Sequence, residues 1–134
     1  MLIWNSFWIA SGLPVPCIDV VNRMFQTFCF LLLPGFSMMG LMSAIEPLRV
    51  ANRFRGELYR WRLFSQGGDV VQASNGMLLN VDGVLELPHV IRVLFVVVGF
   101  ESLVHYDHYL VHWLQRCEPE LVVFGGIDIG CIVS

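Results

Sequence analysis

The sequence predicts an α/β fold with a mainly parallel β-sheet. Three short stretches are almost wholly apolar, at residues 25–33, 93–98 and 121–124. Runs of this kind are typical of inner strands whose two faces are both covered by helices. Segments with apolar residues at helical spacing lie between them, and the alternation of strands with helices indicates a parallel sheet. The length of 134 residues suits one domain at most.

Composition excludes several classes of protein. Hydrophobic residues make up 56% of the chain and charged residues 14%, which argues against a disordered chain. The basic residues are all arginine and the net charge is −3, so a nucleic-acid binder with a basic surface is not expected. The apolar content exceeds the roughly 45–50% of an ordinary soluble chain. A deeply buried sheet, a membrane protein or a piece of something larger would each explain that excess.

The membrane alternative depends on residues 24–45, which carry no charge. A transmembrane helix needs about 20 apolar residues, but Pro34 and Gly35 interrupt this stretch in its middle. We therefore favour a buried strand followed by a turn, and we predict no membrane association. Residues 1–22 contain no basic residue, so a secretory signal is not indicated. We treat residues 1–23 as an atypical extension of unassigned structure.

The other elements follow from periodicity and turn signals. Apolar residues recur at helical spacing within residues 37–53, where Pro47 either opens the regular part of the helix or kinks it. Alternating residues predict further strands, and Ser-Asn-Gly predicts a turn between two of them. These predicted elements are strands at 59–64, 70–73 and 77–81 and a helix at 103–116.

Cysteine and histidine spacing does not indicate a metal or redox site. The four cysteines form no C-x-x-C pair, and buried structural thiols are expected. His105, His108 and His112 lie at i, i+3 and i+7 on the predicted helix, and histidines at helical spacing do bind zinc. However, Asp107 would point about 100° away from His108 on such a helix, and nothing else nearby supplies a ligand. We predict no metal and no cofactor.

A turn that contains glycine follows each buried strand, at Pro34-Gly35, Gly99 and Gly125-Gly126. Ligands of open α/β sheets bind beyond the carboxyl ends of the strands, so these positions are candidates for a binding site. The last pair continues over residues 126–130, where glycines flank a central Asp128. That spacing is typical of a sharp strand-to-helix elbow, which holds its central side chain up into a site. The alternative is an ordinary turn after a strand.

Several motifs, taken in order, resemble the amino-terminal sensor domain of GlxA-type AraC/XylS transcriptional regulators. The resemblance covers residues 24–130 and is carried by residues 30–37, 43–53, 57–61, 73–76, 105–107 and 125–128. That domain is similar to the ThiJ/PfpI, or class I glutamine amidotransferase-like, superfamily. The resemblance implies a flavodoxin-like three-layer sandwich, in agreement with the pattern of strands and helices.

Catalysis of the superfamily type is not expected. Enzymes of the superfamily carry a nucleophilic cysteine at the elbow and an acidic residue just before the helix proline. The matching positions here are Asp128 and, four residues before Pro47, Ser43. Asp128 lacks the nucleophilicity of a thiolate, Ser43 cannot serve as a general acid near neutral pH, and Cys131 lies three residues past the apex. An enzyme acting on a small amide or aldehyde remains the alternative, and a small membrane protein is the third.

The resemblance instead implies a sensor pocket with Asp128 at its apex and Glu46 near its rim. Carboxylates in a partly apolar cleft favour a cationic ligand, and regulators of this type sense amines, betaines and basic amino acids. Glu46 has an alternative partner in Arg49 or Arg53 on the same helix. The predicted ligand-binding residues are Asp128, Glu46, Ser43, Gly99 and Gly126, and no catalytic residue is assigned.

The resemblance also ends early. The family continues from the elbow into a long apolar helix, more strands and two helix-turn-helix motifs, whereas this sequence closes at Ser134. We therefore expect residues 24–134 to form a partial sensor domain, truncated at its C-terminal end. DNA would be contacted only through the missing C-terminal domain. A small-molecule effector and a cytoplasmic location follow from the resemblance, and a homodimer is left open.

Overall fold

The computed structural model describes residues 25–84, 91–100, 102 and 107–127, and the backbone alone of residues 3–4, 7–9 and 120. These residues form a three-layer α/β arrangement, with one helix on each face of a seven-stranded sheet. The fold confirms the predicted class. The elements, in chain order, are β1 (Ile3–Trp4), β2 (Phe7–Ile9), β3 (Gln26–Leu32), α1 (Met38–Arg55), β4 (Tyr59–Ser65), β5 (Val70–Gln72), β6 (Leu78–Asn80), β7 (Gly83–Val84), β8 (Val93–Val97), α2 (His108–Cys117), a 3-10 turn (Glu118–Glu120) and β9 (Val123–Ile127).

The main sheet has the strand order β1-β2-β9-β8-β3-β4-β7 and is parallel from β9 through to β7. Strand β3 lies near its middle, with β4 on one side and β8 on the other. Strands β5 and β6 form a separate antiparallel hairpin, as the sequence predicted. Because β3, β8 and β9 are parallel, their carboxyl ends meet at one edge of the sheet, which we call the carboxyl edge.

Two apolar layers account for the continuous hydrophobic runs. Alternate side chains of a strand point to opposite faces, so Phe28 and Phe30 pack beneath α1, whereas Cys29 and Leu31 face α2. All five residues of β8 are buried. The high apolar content of the chain is therefore largely explained by a sheet that is covered on both faces.

Helix α1 runs from Met38 to Arg55, close to the predicted range of residues 37–53. The hydroxyl oxygen of Ser37 accepts a hydrogen bond from the backbone N–H of Gly40, and this cap starts the helix at Met38. Pro47 lies inside the helix, so the interpretation that it opens the regular part is wrong. The helix ends at Arg55, and the next residue, Gly56, caps it with a φ of 82°, a backbone conformation that only glycine adopts readily.

Helix α2 is shorter than predicted. The expected start at residue 103 is wrong, because Asp107 has extended backbone dihedral angles and its carboxylate accepts from the N–H of Leu110. That cap fixes the first helical residue as His108. Leu110, Trp113 and Cys117 form the buried face of the helix. His105 lies outside the described residues.

Strand β9 is also displaced from its predicted position. It was expected at residues 121–124, followed by a glycine turn, but it runs from Val123 to Ile127 and includes both glycines. Gly125 pairs with Phe95 of β8 and with β2 on its other side, and Gly126 pairs in the same way. Hydrogen bonding from two neighbouring strands therefore holds a Gly-Gly sequence that would be weak as an isolated strand.

The amino-terminal extension contributes to the sheet. Strand β2 pairs antiparallel with β9, and β1 pairs with β2, so a short hairpin covers the outer side of β9. Within the described residues, no helix combines the length and the apolar character needed to cross a bilayer.

Candidate functional site

The turns that follow β3 and β8 are in backbone contact at the carboxyl edge. Gly35 adopts a φ of 80° directly after β3, and its carbonyl oxygen faces the α-carbon of Gly99, which follows β8. A Cβ built on Gly99 would overlap that oxygen. Glycine is therefore required at residue 99 for close packing, because any side chain would push the two turns apart.

Ser102 links these two turns through its buried hydroxyl group. Its Oγ donates to the carbonyl oxygen of Pro34 at 2.7 Å and accepts from the N–H of Gly99 at 3.0 Å. The side chain is completely buried, so water cannot replace either bond without rearrangement. No sequence motif predicts a role for Ser102, and its only signal is a small polar residue three positions after Gly99.

The first turn of α1 stands over the same edge. The N–H of Ser37 donates to the carbonyl oxygen of Val98, and a Cβ built on Gly40 would lie 2.8 Å from Cγ2 of Ile127. The helix therefore approaches the last residue of β9 closely, and only a glycine allows this without a shift. The β5–β6 hairpin is attached here as well, because Gly35 donates its N–H to the carbonyl oxygen of Gln72.

In the structure, the side chains of Ser43 and Glu46 both bond to partners on their own helix. The hydroxyl of Ser43 donates to the carbonyl oxygen of Met39 at 2.8 Å, within its own helix. Glu46 is exposed, and its Oε2 accepts from Nε and Nη2 of Arg49 at 2.9 and 2.6 Å. The hydrogen bond from Arg49 lowers the pKa of the Glu46 carboxyl group. The surface pair with Arg49, which the sequence left open as an alternative, is the arrangement observed.

The remaining predicted site residues differ in how they are placed. Gly99 is buried at the carboxyl edge, where it packs against the carbonyl oxygen of Gly35. Gly126 lies one residue inside the end of β9 and is flanked by strands on both sides. Asp128, the predicted apex, lies outside the described residues, and its neighbour Ile127 closes β9.

The described thiols do not have the properties of nucleophiles. Cys29 and Cys117 are buried, and burial raises the pKa of the Cys117 thiol to about 11. A thiol with that pKa is almost entirely protonated near neutral pH. Cys17 and Cys131 lie outside the described residues. In the described part of the chain, no three His, Cys, Asp or Glu side chains cluster as a metal site.

Known proteins share this fold. No protein-family model matches the chain. An AraC family transcriptional regulator from Pseudomonas putida superposes over 72% of this chain and 62% of its own, with a TM-score of 0.64 and 25% identity. Drosophila melanogaster DJ-1beta superposes over 71% of this chain and 50% of its own, with a TM-score of 0.56 and 19% identity. The domain is thus of the flavodoxin-like DJ-1/ThiJ class.

Sequence relatives narrow that class. The chain is 54% identical over 110 residues to the HTH-type transcriptional regulator CdhR of Pseudomonas aeruginosa. It is 32% identical over 114 residues to the HTH-type transcriptional regulator GlxA of Rhizobium meliloti. These matches cover 82% and 84% of the chain but 33% and 35% of the relatives, so the chain spans about one third of their length. The chain is therefore a homologue of HTH-type transcriptional regulators such as CdhR and GlxA, in a domain with the ThiJ-like fold.

Proposed function

We propose that this chain forms ligand-sensing structure of a transcriptional regulator and binds a small cationic metabolite at the carboxyl edge without catalysing a reaction. The observation that carries the regulatory part is the 54% identity to a transcriptional regulator over most of the chain. The ligand class is an amine, a betaine or a basic amino acid.

The packing of the carboxyl edge supports a binding role for this region. The turns after β3 and β8 are fixed by the contact between Gly35 and Gly99 and by the Ser102 hydroxyl. The last described residue of β9, Ile127, lies against the first turn of α1. A ligand that enters such an edge meets backbone groups that are already ordered, so little entropy is lost in ordering them on binding.

Asp128 is the proposed contact for the positive charge. In the sequence it directly follows Ile127, the residue that ends β9. A carboxylate in a partly enclosed site favours a cationic partner, because a buried charge is costly unless it is paired. Ser43, Gly99 and Gly126 remain proposed neighbours of the ligand. Glu46 is not included, because its carboxylate is exposed and already bonded to Arg49.

The absence of catalysis is proposed from the identities of the residues at the matching positions. An aspartate occupies the elbow and a serine, Ser43, occupies the acid position. Among the described thiols, the protonated state of Cys117 also argues against nucleophilic catalysis. In such a regulator, we propose that DNA is contacted by a part of the protein that lies outside the region matched by this chain. Because the regulator acts on DNA, we propose that it works in the cytoplasm. Ligand binding would then act on DNA by coupling between two sites, and a homodimer would fit that role.

Calorimetric titration tests the ligand class. We expect the chain to bind glycine betaine or arginine, and to bind tert-butylacetate, the uncharged-head isostere of glycine betaine, at least tenfold more weakly. Asp128→Asn should reduce the affinity for the cationic probe at least tenfold. Asp69→Asn, at an exposed position on the hairpin side, is the matched control and should leave the affinity unchanged. Equal affinity of wild type and Asp128→Asn, or of the charged and uncharged probes, would contradict the proposal.

A further inference from the structure

Among the residues that the structure describes, the outer edge of strand β4 has one open position between two capped ones. Strand β4 pairs with β3 along its length, but on its other side β7 reaches only Phe64 and Ser65. The N–H and C=O groups of alternate residues in a strand point to the same side, so those of residues 59, 61 and 63 face this outer edge.

Asn52 and Asp82 satisfy the backbone hydrogen-bonding groups of Tyr59 and Leu63, the first and third of these residues. At the start of the strand, Asn52 of α1 accepts from the N–H of Tyr59 at 2.9 Å and donates to its carbonyl oxygen at 2.8 Å. At the far end, Asp82 accepts from the N–H of Leu63 at 2.7 Å and donates its own N–H to the Leu63 carbonyl oxygen at 2.8 Å. Each cap replaces the two hydrogen bonds that a neighbouring strand would make.

Trp61 lies between these caps. Within residues 25–84 and the other described segments, no strand pairs with Trp61 on the outer side and no side chain caps its backbone there. An uncapped strand edge is a template for pairing with another chain. Because Asn52 and Asp82 block the positions on either side, the template is about three residues long.

The side chains around this position form a cationic cleft. Its volume is about 440 Å³. Arg60 and Arg62 lie on the sheet face that α1 does not cover, in register with Thr27 and Cys29. The guanidinium group of Arg60 stacks over the Phe25 ring at 3.6 Å and that of Arg62 lies 5.0 Å from the Phe64 ring, which restrains both groups. The residues that line the cleft are Thr27, Asn52, Glu57, Tyr59, Arg60, Trp61 and Arg62.

Charge at the cleft favours an acidic occupant. Glu57 approaches Arg60 only to 4.0 Å, and both side chains are more than half exposed, so this pair leaves Arg60 accessible to a stronger partner. Two arginines at i and i+2 on one face match two carboxylates with the same spacing on an extended peptide. The residue between those carboxylates would point to the opposite face, beside the Trp61 ring.

We propose that the β4 edge docks a short extended segment of a partner protein with the pattern acidic–apolar–acidic. The central residue pairs with the N–H and C=O of Trp61 and packs its side chain beside the indole. The two carboxylates bind Arg60 and Arg62 on the other face. The short template makes this a weak, reversible contact, in the manner of a strand added to a sheet edge. It lies at the opposite side of β3 from β8 and β9, so it is separate from the proposed effector site.

Amide hydrogen exchange measured by NMR tests the pairing. The probe is an acetylated, amidated Thr-Glu-Val-Glu-Thr peptide added to the full chain. Without peptide, the Trp61 amide should exchange at least tenfold faster than the amides of Arg60 and Arg62, which face β3. Saturating peptide should slow the Trp61 amide at least tenfold. A peptide that is N-methylated at valine keeps both charges but cannot pair, so it should bind at least fivefold more weakly.

Charge variants test the side-chain part. Arg60→Glu combined with Arg62→Glu should weaken binding of the acidic peptide at least tenfold. The control variant Arg53→Glu, which changes an exposed arginine on α1, should leave binding unchanged. A Thr-Lys-Val-Lys-Thr peptide should not bind the wild-type chain. Equal binding of the N-methylated and parent peptides, or of the acidic and basic peptides, would overturn the proposal, as would failure of the acidic peptide to bind. Protection of Trp61 that increases with protein concentration alone would assign the edge to a second copy instead.

Discussion

The α-carbon of Gly99 lies directly against the carbonyl oxygen of Gly35, so the turns after two central strands touch through their backbones. This contact lies where β3 and β8 end side by side, and hydrogen bonds of the buried Ser102 hydroxyl to Pro34 and Gly99 stabilise it. The carboxyl edge is therefore built from backbone and one small polar side chain.

Gly99→Ala should destabilise the fold. The added methyl group would overlap the Gly35 carbonyl oxygen, which belongs to the backbone and cannot rotate away as a flexible side chain could. Forcing extra volume into a packed site costs about 1–3 kcal/mol. Gly67→Ala is the matched control, because a Cβ there meets no atom within 4 Å and the backbone is not in the left-handed region. Urea denaturation of both variants checks the prediction, and equal midpoints would show that the two turns can separate freely.

Ser102→Ala should also destabilise the chain, by about 1–3 kcal/mol, because it leaves the Gly99 N–H and the Pro34 carbonyl oxygen without their buried partner. Ser43→Ala serves as the control. That hydroxyl bonds only to the carbonyl oxygen of Met39 in its own helix, and alanine has the higher helix propensity. We expect Ser43→Ala to melt at or slightly above the wild-type temperature. A melting curve in which both variants lose equal stability would contradict this difference.

Asn52→Ala should loosen the start of β4. The Asn52 side chain accepts from Leu58 and Tyr59 and donates to the Tyr59 carbonyl oxygen, so its loss removes three hydrogen bonds at once. Asn52→Asp keeps the acceptor but loses the donor, and its effect should be intermediate. Hydrogen exchange of the Tyr59 amide reports on the cap directly. Its rate should increase from the wild type to Asn52→Asp and again to Asn52→Ala. An unchanged rate in the alanine variant would show that solvent or another group replaces Asn52.

The buried thiol of Cys117 should make stability depend on alkaline pH. Burial raises its pKa from 9.0 to about 11 in the folded chain, although Arg116 lowers it in part. The folded state thus holds the proton more tightly than the unfolded state. Its stabilising contribution is complete below about pH 9 and is lost as the pH rises towards 11.

Urea denaturation between pH 8 and pH 10.5 (about the accessible range below the folded-state pKa) measures this dependence. Cys117→Ala removes the titrating group, so its unfolding free energy should fall less steeply over the same range. Parallel curves for the two proteins would assign the pH dependence to other groups. The same burial predicts slow modification of Cys117 by thiol reagents at pH 8.

The strands of the sheet were predictable where local sequence was decisive. Continuous apolar runs identified β3 and β8, and the Ser-Asn-Gly turn identified the hairpin of β5 and β6. The prediction failed at β9 because Gly125 and Gly126 have no intrinsic preference for a strand. Their extended conformation depends on β8 on one side and β2 on the other, and β2 is more than 110 residues away in sequence.

For the helices, the sequence predicted the location but not the residues at which they begin. Apolar spacing located α1, but the cap by Ser37 decided where it starts, and Pro47 proved compatible with its interior. For α2, the apolar residues before Asp107 suggested a longer helix, whereas the capping carboxylate of Asp107 set its beginning at His108. Local hydrogen bonds of single side chains thus decided the ends that periodicity could not.

The sequence by itself determined the fold class, the family and the chemistry of the candidate residues, because apolar periodicity and ordered motifs are local properties of the chain. The tertiary structure alone decided which side-chain and backbone groups meet. It turned Glu46 outward onto Arg49, joined Pro34 to Gly99 through the Ser102 hydroxyl, and left Trp61 between two capped positions. Each of these depends on groups brought together from distant segments or on the face that a helix presents, and packing of the whole sheet fixes both.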